Sequence, residues 1–168
     1  MSGVSGARVS GRAWVLGDRI DTDVLAPGYA MKLPPGELAR HCLEAVRPDF
    51  ASGVRPGDVV VAGEGFGLGS SREQAAQSLR LLGVGAVLAK GFARIFYRNA
   101  FNLGLPAIPF PQADEIQDGA AITLDVEAGR VESGGRAFDV RPLPPHLLGL
   151  VRSGGLMAQL EERFANAS

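Results

Sequence analysis

At 168 residues, with 17 basic against 18 acidic side chains and a net charge of −1, the chain is sized for one domain with a real core. That balance excludes a basic nucleic-acid footprint or a polybasic membrane surface. The single cysteine, Cys42, excludes an internal disulfide and an iron–sulfur cluster ligated by this chain alone.

Residues 1–12 are rich in Gly and Ser, carry Arg8 and Arg12, and lack the apolar block of a signal peptide. They read as a flexible tail ahead of a single domain over 13–168. No apolar run reaches membrane-spanning length, so the expected setting is cytoplasmic, with no membrane and no nucleic acid as partner. Residues 13–16 read as a first strand and 17–23 as a polar turn holding Asp21-Thr22-Asp23. An Asp-x-Asp pair can bind a metal, but the calcium-loop spacing is not continued, and a side-chain-capped turn serves equally. Residues 27–35 form a breaker-rich loop that includes Met31 and Lys32. The spacing of Leu38, Cys42, Ala45 and Val46 predicts a helix over 37–46, with His41 beside its apolar stripe.

The densest chemistry lies in 58–76. The apolar run up to Gly63 predicts a buried strand, and Gly63, Gly65, Gly67 and Gly69 then alternate through a turn leading to Ser70, Ser71 and Arg72. Glycines at Gly67 and Gly69 let backbone come close to a ligand. A helix predicted over 71–82, ending at Gly83, would aim free N–H groups and its positive dipole end at that loop. Together these features outline a site for an anion, carboxylate as readily as phosphate. The same serines also fit capping boxes, Ser70 with Glu73 and Ser71 with Gln74, in which case they only start a helix. The loop lacks the P-loop ending, the dinucleotide glycine spacing and the Gly-x-Ser-x-Gly of a nucleophile elbow.

Beyond it, the apolar run 86–89 predicts a strand covered on both faces, so strand–helix–strand implies a parallel pair. A second helix carries Phe92, Ile95, Phe96, Ala100 and Leu103 on one side and stops at Gly104. Arg94 and Arg98 share another face, as a solvated stripe or as contacts to a partner or the site. An edge strand at 107–110, three β segments over 121–140 and two C-terminal helices complete the chain. His146 opens the first of those helices with no catalytic neighbour in sequence.

Two motifs in this order, Gly69-Ser70-Ser71-Arg72-Glu73 and 89–99 (Ala-Lys-Gly-Phe-Ala-Arg-Ile-Phe-Tyr-Arg-Asn), resemble the swivel domain of the aconitase superfamily. With Asp21-Thr22-Asp23 and the chain length, the resemblance narrows to the small subunits of 3-isopropylmalate dehydratases and their homoaconitase-type relatives, over about 14–160. It implies a mixed α/β swivelling β/β/α domain, with a parallel strand–helix–strand core and a β-rich C-terminal part. It implies a hydro-lyase that reversibly dehydrates a di- or tricarboxylic hydroxy acid, 3-isopropylmalate in leucine biosynthesis or a homologous substrate. By that resemblance Ser70 is the base, acting as an alkoxide, and Ser71 and Arg72 bind substrate, with Asp23 supporting them. Gly67 and Gly69 shape the anion loop, and Met31 and Lys32 lie in the segment that selects substrate. It also implies that this chain carries no cofactor and works with a large subunit holding an iron–sulfur cluster. Gly91 stands where the family often has a small hydroxyl residue, and the selecting segment follows neither familiar pattern. Two other classes fit the residues themselves: a serine hydrolase, which needs a base near Ser70 that neither His41 nor His146 evidently supplies, and a non-catalytic carboxylate-binding module.

Overall fold

The computed structural model describes residues 4–5 and 7–167. Its chain order is β1 (Val4–Ser5), β2 (Arg8–Val15), α1 (Thr22–Leu25), α2 (Pro35–Ala39), α3 (Phe50–Gly53), β3 (Val59–Ala62), α4 (Gln74–Leu81), β4 (Ala86–Ala89) and α5 (Arg94–Asn102). Then come β5 (Ala107–Pro109), β6 (Ala121–Asp125), β7 (Arg130–Ser133), β8 (Arg136–Asp139), α6 (Pro145–Ser153) and α7 (Leu156–Ala167). The strands form one sheet in the order β5-β4-β3-β2-β6-β7-β8, with β1 paired to β2.

The strand β2 joins two differently built halves. Its C-terminal part pairs parallel with β3 (Ala13 opposite Val59), and its N-terminal part pairs antiparallel with β6 (Arg8 opposite Asp125, Arg12 opposite Ala121). This corrects the expected tail: residues 8–12 are a paired strand, with Val9 buried against the core. Gly11 marks where the backbone before β3 crosses it, since a Cβ there would lie 2.5 Å from the Gly57 carbonyl oxygen. The buried Asp58 carboxylate then staples the crossing, accepting from Arg12 N–H, Trp14 Nε1–H and Arg55 N–H, each at 2.9 Å.

On the parallel side, β3 and β4 are buried at every residue and follow the predicted strand–helix–strand path. The edge strand β5 pairs parallel with β4 and ends at the exposed Pro109, which cannot donate to a further ladder. On the antiparallel side, Ile122, Leu124, Val131 and Phe138 point into the same core as β3 and β4. The curl of the sheet brings Phe110, just past β5, edge-on to Phe138 of β8 at 5.4 Å between ring centres.

Three helix readings change. The stretch 37–46 is helical only to Ala39; Leu43 takes a left-handed backbone (φ 63°), and its N–H bonds the Val24 carbonyl instead of continuing a helix. Val46 is accordingly exposed, while Cys42 is fully buried. Ile95 on α5 is also exposed. The helix after the glycine loop starts at Gln74, three residues later than the serines suggested.

Candidate active site

The glycine loop leaves the C-terminal end of β3 and runs beside the segment leaving β4. Phe66 N–H donates to the Gly91 carbonyl (3.0 Å) and Ala93 N–H to the Phe66 carbonyl (2.8 Å), extending the parallel pairing past the strand ends. Phe66 anchors the loop from below, packing on Phe96 at 5.1 Å between ring centres. Two glycines are required by this path. Gly67 has φ 83°, and a Cβ there would come 2.3 Å from Phe96 Cβ; Gly69 has φ 116°, and a Cβ would come 2.7 Å from Thr22 Oγ1. Gly91 differs: a Cβ would make ordinary contact, 3.4 Å from Glu64 Oε1, so the site has room for the side chain it lacks.

The loop lies against α1 and the turn before it. Gly67 N–H donates to the Ile20 carbonyl (2.7 Å), and Thr22 N–H to the Leu68 carbonyl (2.8 Å). Asp21 caps α1 through Val24 N–H (2.8 Å). Ser70 and Ser71 are exposed at the rim, and neither caps α4, whose first residues have no side-chain cap at all. The capping-box alternative therefore fails. Ser70 N–H donates instead to Thr22 Oγ1 (3.1 Å), and the two hydroxyl oxygens lie 3.3 Å apart. Among the described residues, the N–H groups of Gly69, Ser71 and Arg72 meet no protein acceptor.

Among the described residues, Arg72 is held by one nitrogen only. Its Nη1 donates to the Ala26 carbonyl (2.8 Å) and to Asp23 Oδ1 (3.3 Å), leaving the Nε–Nη2 edge free. That edge is the one a carboxylate meets in two-pronged fashion. Asp23 also accepts from Gly28 N–H (2.8 Å), and that bond, with Arg72, holds its carboxyl below the usual range. Ser70, Ser71, Arg72 and Asp23 thus come together on one open face, with unpaired donors beside two hydroxyls and a half-anchored guanidinium. Such a surface can hold a substrate carboxylate and an oxygen base side by side.

This fold and loop have known relatives. Residues 49–113 match the Aconitase C-terminal domain family. The 3-isopropylmalate dehydratase small subunit of Nautilia profundicola is 46% identical over 152 residues, covering 89% of this chain and 92% of that protein. Small subunit 1 from Archaeoglobus fulgidus is 47% identical over 150 residues, covering 88% and 93%. The chain belongs to the 3-isopropylmalate dehydratase small-subunit family. The crystal structure of 3-isopropylmalate dehydratase (leuD) from Methanocaldococcus jannaschii matches with a TM-score of 0.89 at 39% identity, over 95% of this chain and 97% of that one. The swivelling α/β fold expected from the sequence is therefore the observed one.

Within this small-subunit frame, the segment expected to select substrate is a short 3₁₀ turn (Gly28–Ala30) followed by Met31 and Lys32. The Gly28–Asp23 bond ties that turn to Arg72. Met31 packs on Ala26, Ala30 and Leu38, while Lys32 is exposed and forms no ion pair among the described residues. Among the described residues, neither side chain hydrogen-bonds to Ser70. Neither histidine approaches Ser70 by hydrogen bond: His41 Nδ1 pairs with Glu44 Oε1 (2.7 Å), and His146 lies in a groove between α5 and α6 with Arg94 and Arg98. A serine hydrolase arrangement is not built here. The residue sequence reasoning passed over is Thr22, quoted only as part of Asp21-Thr22-Asp23. A hydroxyl residue between two acids in a polar turn was its one available signal.

An iron–sulfur cluster does not fit this chain's residues. Cys42 is fully buried, with its thiol pushed up by that burial, and no group of three or more His, Cys, Asp or Glu among the described residues could hold a metal. No helix among the described residues is long and apolar enough to cross a membrane.

Proposed function

We propose that this chain is the small subunit of a hydro-lyase that interconverts 2- and 3-isopropylmalate, with Ser70 as the proton-transferring group. A single observation carries the proposal: the Ser70 hydroxyl stands exposed on a rim that also presents the free Nε–Nη2 edge of Arg72 and unpaired backbone donors.

The reaction removes a carbon-bound proton next to a carboxylate and expels hydroxide from the neighbouring carbon. Arg72 and Ser71 hold the substrate carboxylate, which sets the C–H bond against Ser70 Oγ. The Ser70 alkoxide takes that proton, the C–H electron pair becomes the new C=C bond, and hydroxide leaves with an added proton as water. In the return addition Ser70 gives its proton back to carbon, so the group ends as it began. Asp23 anchors Arg72 and leaves the two-pronged edge turned outward. Met31 and Lys32 follow the turn that Asp23 holds, which suits them to face the substrate branch. The acid help that departing hydroxide needs is assigned to a large partner subunit with an iron–sulfur cluster, because no group among the described residues beside Ser70 is suited to it.

The test is steady-state kinetics of the complex reconstituted with its cognate large subunit. Ser70→Ala is expected to lower turnover by roughly 10²–10⁴-fold, with assembly and melting temperature retained, since Ser70 caps no helix. Arg72→Lys is expected to weaken substrate binding as well as turnover, because lysine offers no flat pair of donors. Near-normal turnover by Ser70→Ala would sink the proposal.

A further inference from the structure

We infer that Thr22 is the hydrogen-bond donor to the Ser70 alkoxide, so that its hydroxyl is a working part of the base. The inference rests on the proposed role of Ser70 and goes on to say what makes that oxygen able to play it. Thr22 is 3% exposed and is the first residue of α1. Its backbone is locked at both ends, N–H to the Leu68 carbonyl and carbonyl to Ala26 N–H, each at 2.8 Å. Its Oγ1 accepts the Ser70 N–H at 3.1 Å and lies 3.3 Å from Ser70 Oγ.

Proton counting settles the direction of the second contact. A threonine hydroxyl has one proton to give. A serine that has lost its proton can only accept, so in the alkoxide state the bond must run from Thr22 Oγ1 to Ser70 Oγ. The accepting side of Thr22 Oγ1 is already turned to the Ser70 N–H, which leaves its proton for the oxyanion. At 3.3 Å the neutral contact is long for two hydroxyls; an O–H donor to an oxyanion closes to about 2.5–2.7 Å. The contact therefore strengthens as charge develops, which is the form of stabilisation that lowers a barrier. Gly69 supports the arrangement, because any side chain there would press on Thr22 Oγ1 at 2.7 Å.

Among the described residues no charged side chain is hydrogen-bonded to Ser70, and the free edge of Arg72 is assigned to the substrate carboxylate. On α1, Asp21 is spent on Val24 N–H and Asp23 on Gly28 N–H and Arg72. On the loop, Arg72 Nη1 is spent on Ala26 and Asp23, and Glu73, the residue before α4, makes no side-chain bond to Ser70. On α5, Asn99 reaches the Ser71 carbonyl at 3.4 Å, while Arg94 and Arg98 line the groove towards α6.

The experiment compares Thr22→Val, which keeps the shape and loses the hydroxyl, with Thr22→Ser, which keeps the hydroxyl. Both are assayed in the reconstituted complex for kcat, KM, pH–rate profile and melting temperature. Thr22→Val is expected to lose about 10²-fold in kcat with KM within about twofold, and its rate should rise to higher pH than that of the natural chain. Thr22→Ser should recover most of the rate and the original profile. If Thr22→Val does not assemble, Thr22→Cys, a weaker donor of similar shape, carries the same expectation of slower turnover with a shifted profile. Unchanged kcat and pH profile in Thr22→Val overturn the inference. So does equal loss in the Val and Ser variants tracking a lowered melting point. Ser70→Ala run alongside separates the two layers: an active Ser70→Ala overturns the base itself, whereas an inactive one beside a normal Thr22→Val overturns only the donor.

Discussion

Strands β3 and β4 are buried at every residue, whereas β6, β7 and β8 mix buried with exposed or half-buried positions. Both halves feed one core, but only the parallel half carries the proposed site. The reason is geometric. Parallel strands must be joined by crossovers, so β3 and β4 both send their chains out at the same end of the sheet. The glycine loop and the segment around Gly91 therefore leave side by side and brace each other through Phe66 and Phe92. Antiparallel hairpins such as β7–β8 turn straight back on themselves and gather no such pair of outgoing loops. One half presents the loops of the proposed site, and the other supplies a wall for the core behind it.

That division can be broken most severely at Gly67. Gly67→Ala adds a Cβ against Phe96 at a φ of 83°, combining left-handed strain with overpacking, at about 2–5 kcal/mol together. Because the loop itself must shift, turnover of the assembled enzyme should fall along with the melting temperature. Leu124→Ala on β6 sharpens the contrast. Truncating this fully buried side chain should cost roughly 2–5 kcal/mol of stability. It should leave kcat and KM unchanged wherever the protein is folded, as denaturant melts paired with kinetics would reveal. A large loss of kcat at full folding would mean that the wall also shapes the site.

The smallest effect belongs to the seam. Asp118, in the loop before β6, accepts from Val15 N–H of β2 (2.9 Å) and from Arg47 (2.8 and 2.9 Å). Arg47 holds the Asp118 carboxyl below its usual range, with the Val15 N–H helping against partial burial. The folded state therefore binds a proton there less readily than the unfolded chain. The pair's contribution is full above the unfolded carboxylate range and is lost as pH falls through the lowered value. Asp118→Asn should cost up to about 1 kcal/mol near neutral pH, given the exposure of the pair. The difference from the natural chain should close as both are melted at progressively lower acidic pH. A gap that stayed constant with pH would assign the effect to packing rather than charge.

The strand–helix–strand core was legible in the sequence because continuous apolar runs such as 86–89 and glycine stops such as Gly83 and Gly104 are local signals. The order of the small antiparallel strands, the edge position of Pro109 and the presence of the serine–arginine loop were legible for the same reason. What sequence could not reveal was anything set by contacts far along the chain. The strand pairing of residues 8–12 depends on β6, more than a hundred residues away, and nothing in a Gly/Ser-rich stretch announces that partner. The helix over 37–46 had the right periodicity, yet the Leu43 N–H found the Val24 carbonyl and the backbone turned left-handed to reach it. The serines had two local readings, cap or site, with identical spacing. Only the approach of α1 separated them, by giving the Ser70 N–H to Thr22 and leaving both serine hydroxyls off the helix end. Composition and period act within a few residues, so they determined which elements form. Which hydroxyl stands beside which was decided by a fold that brings residue 22 to residue 70.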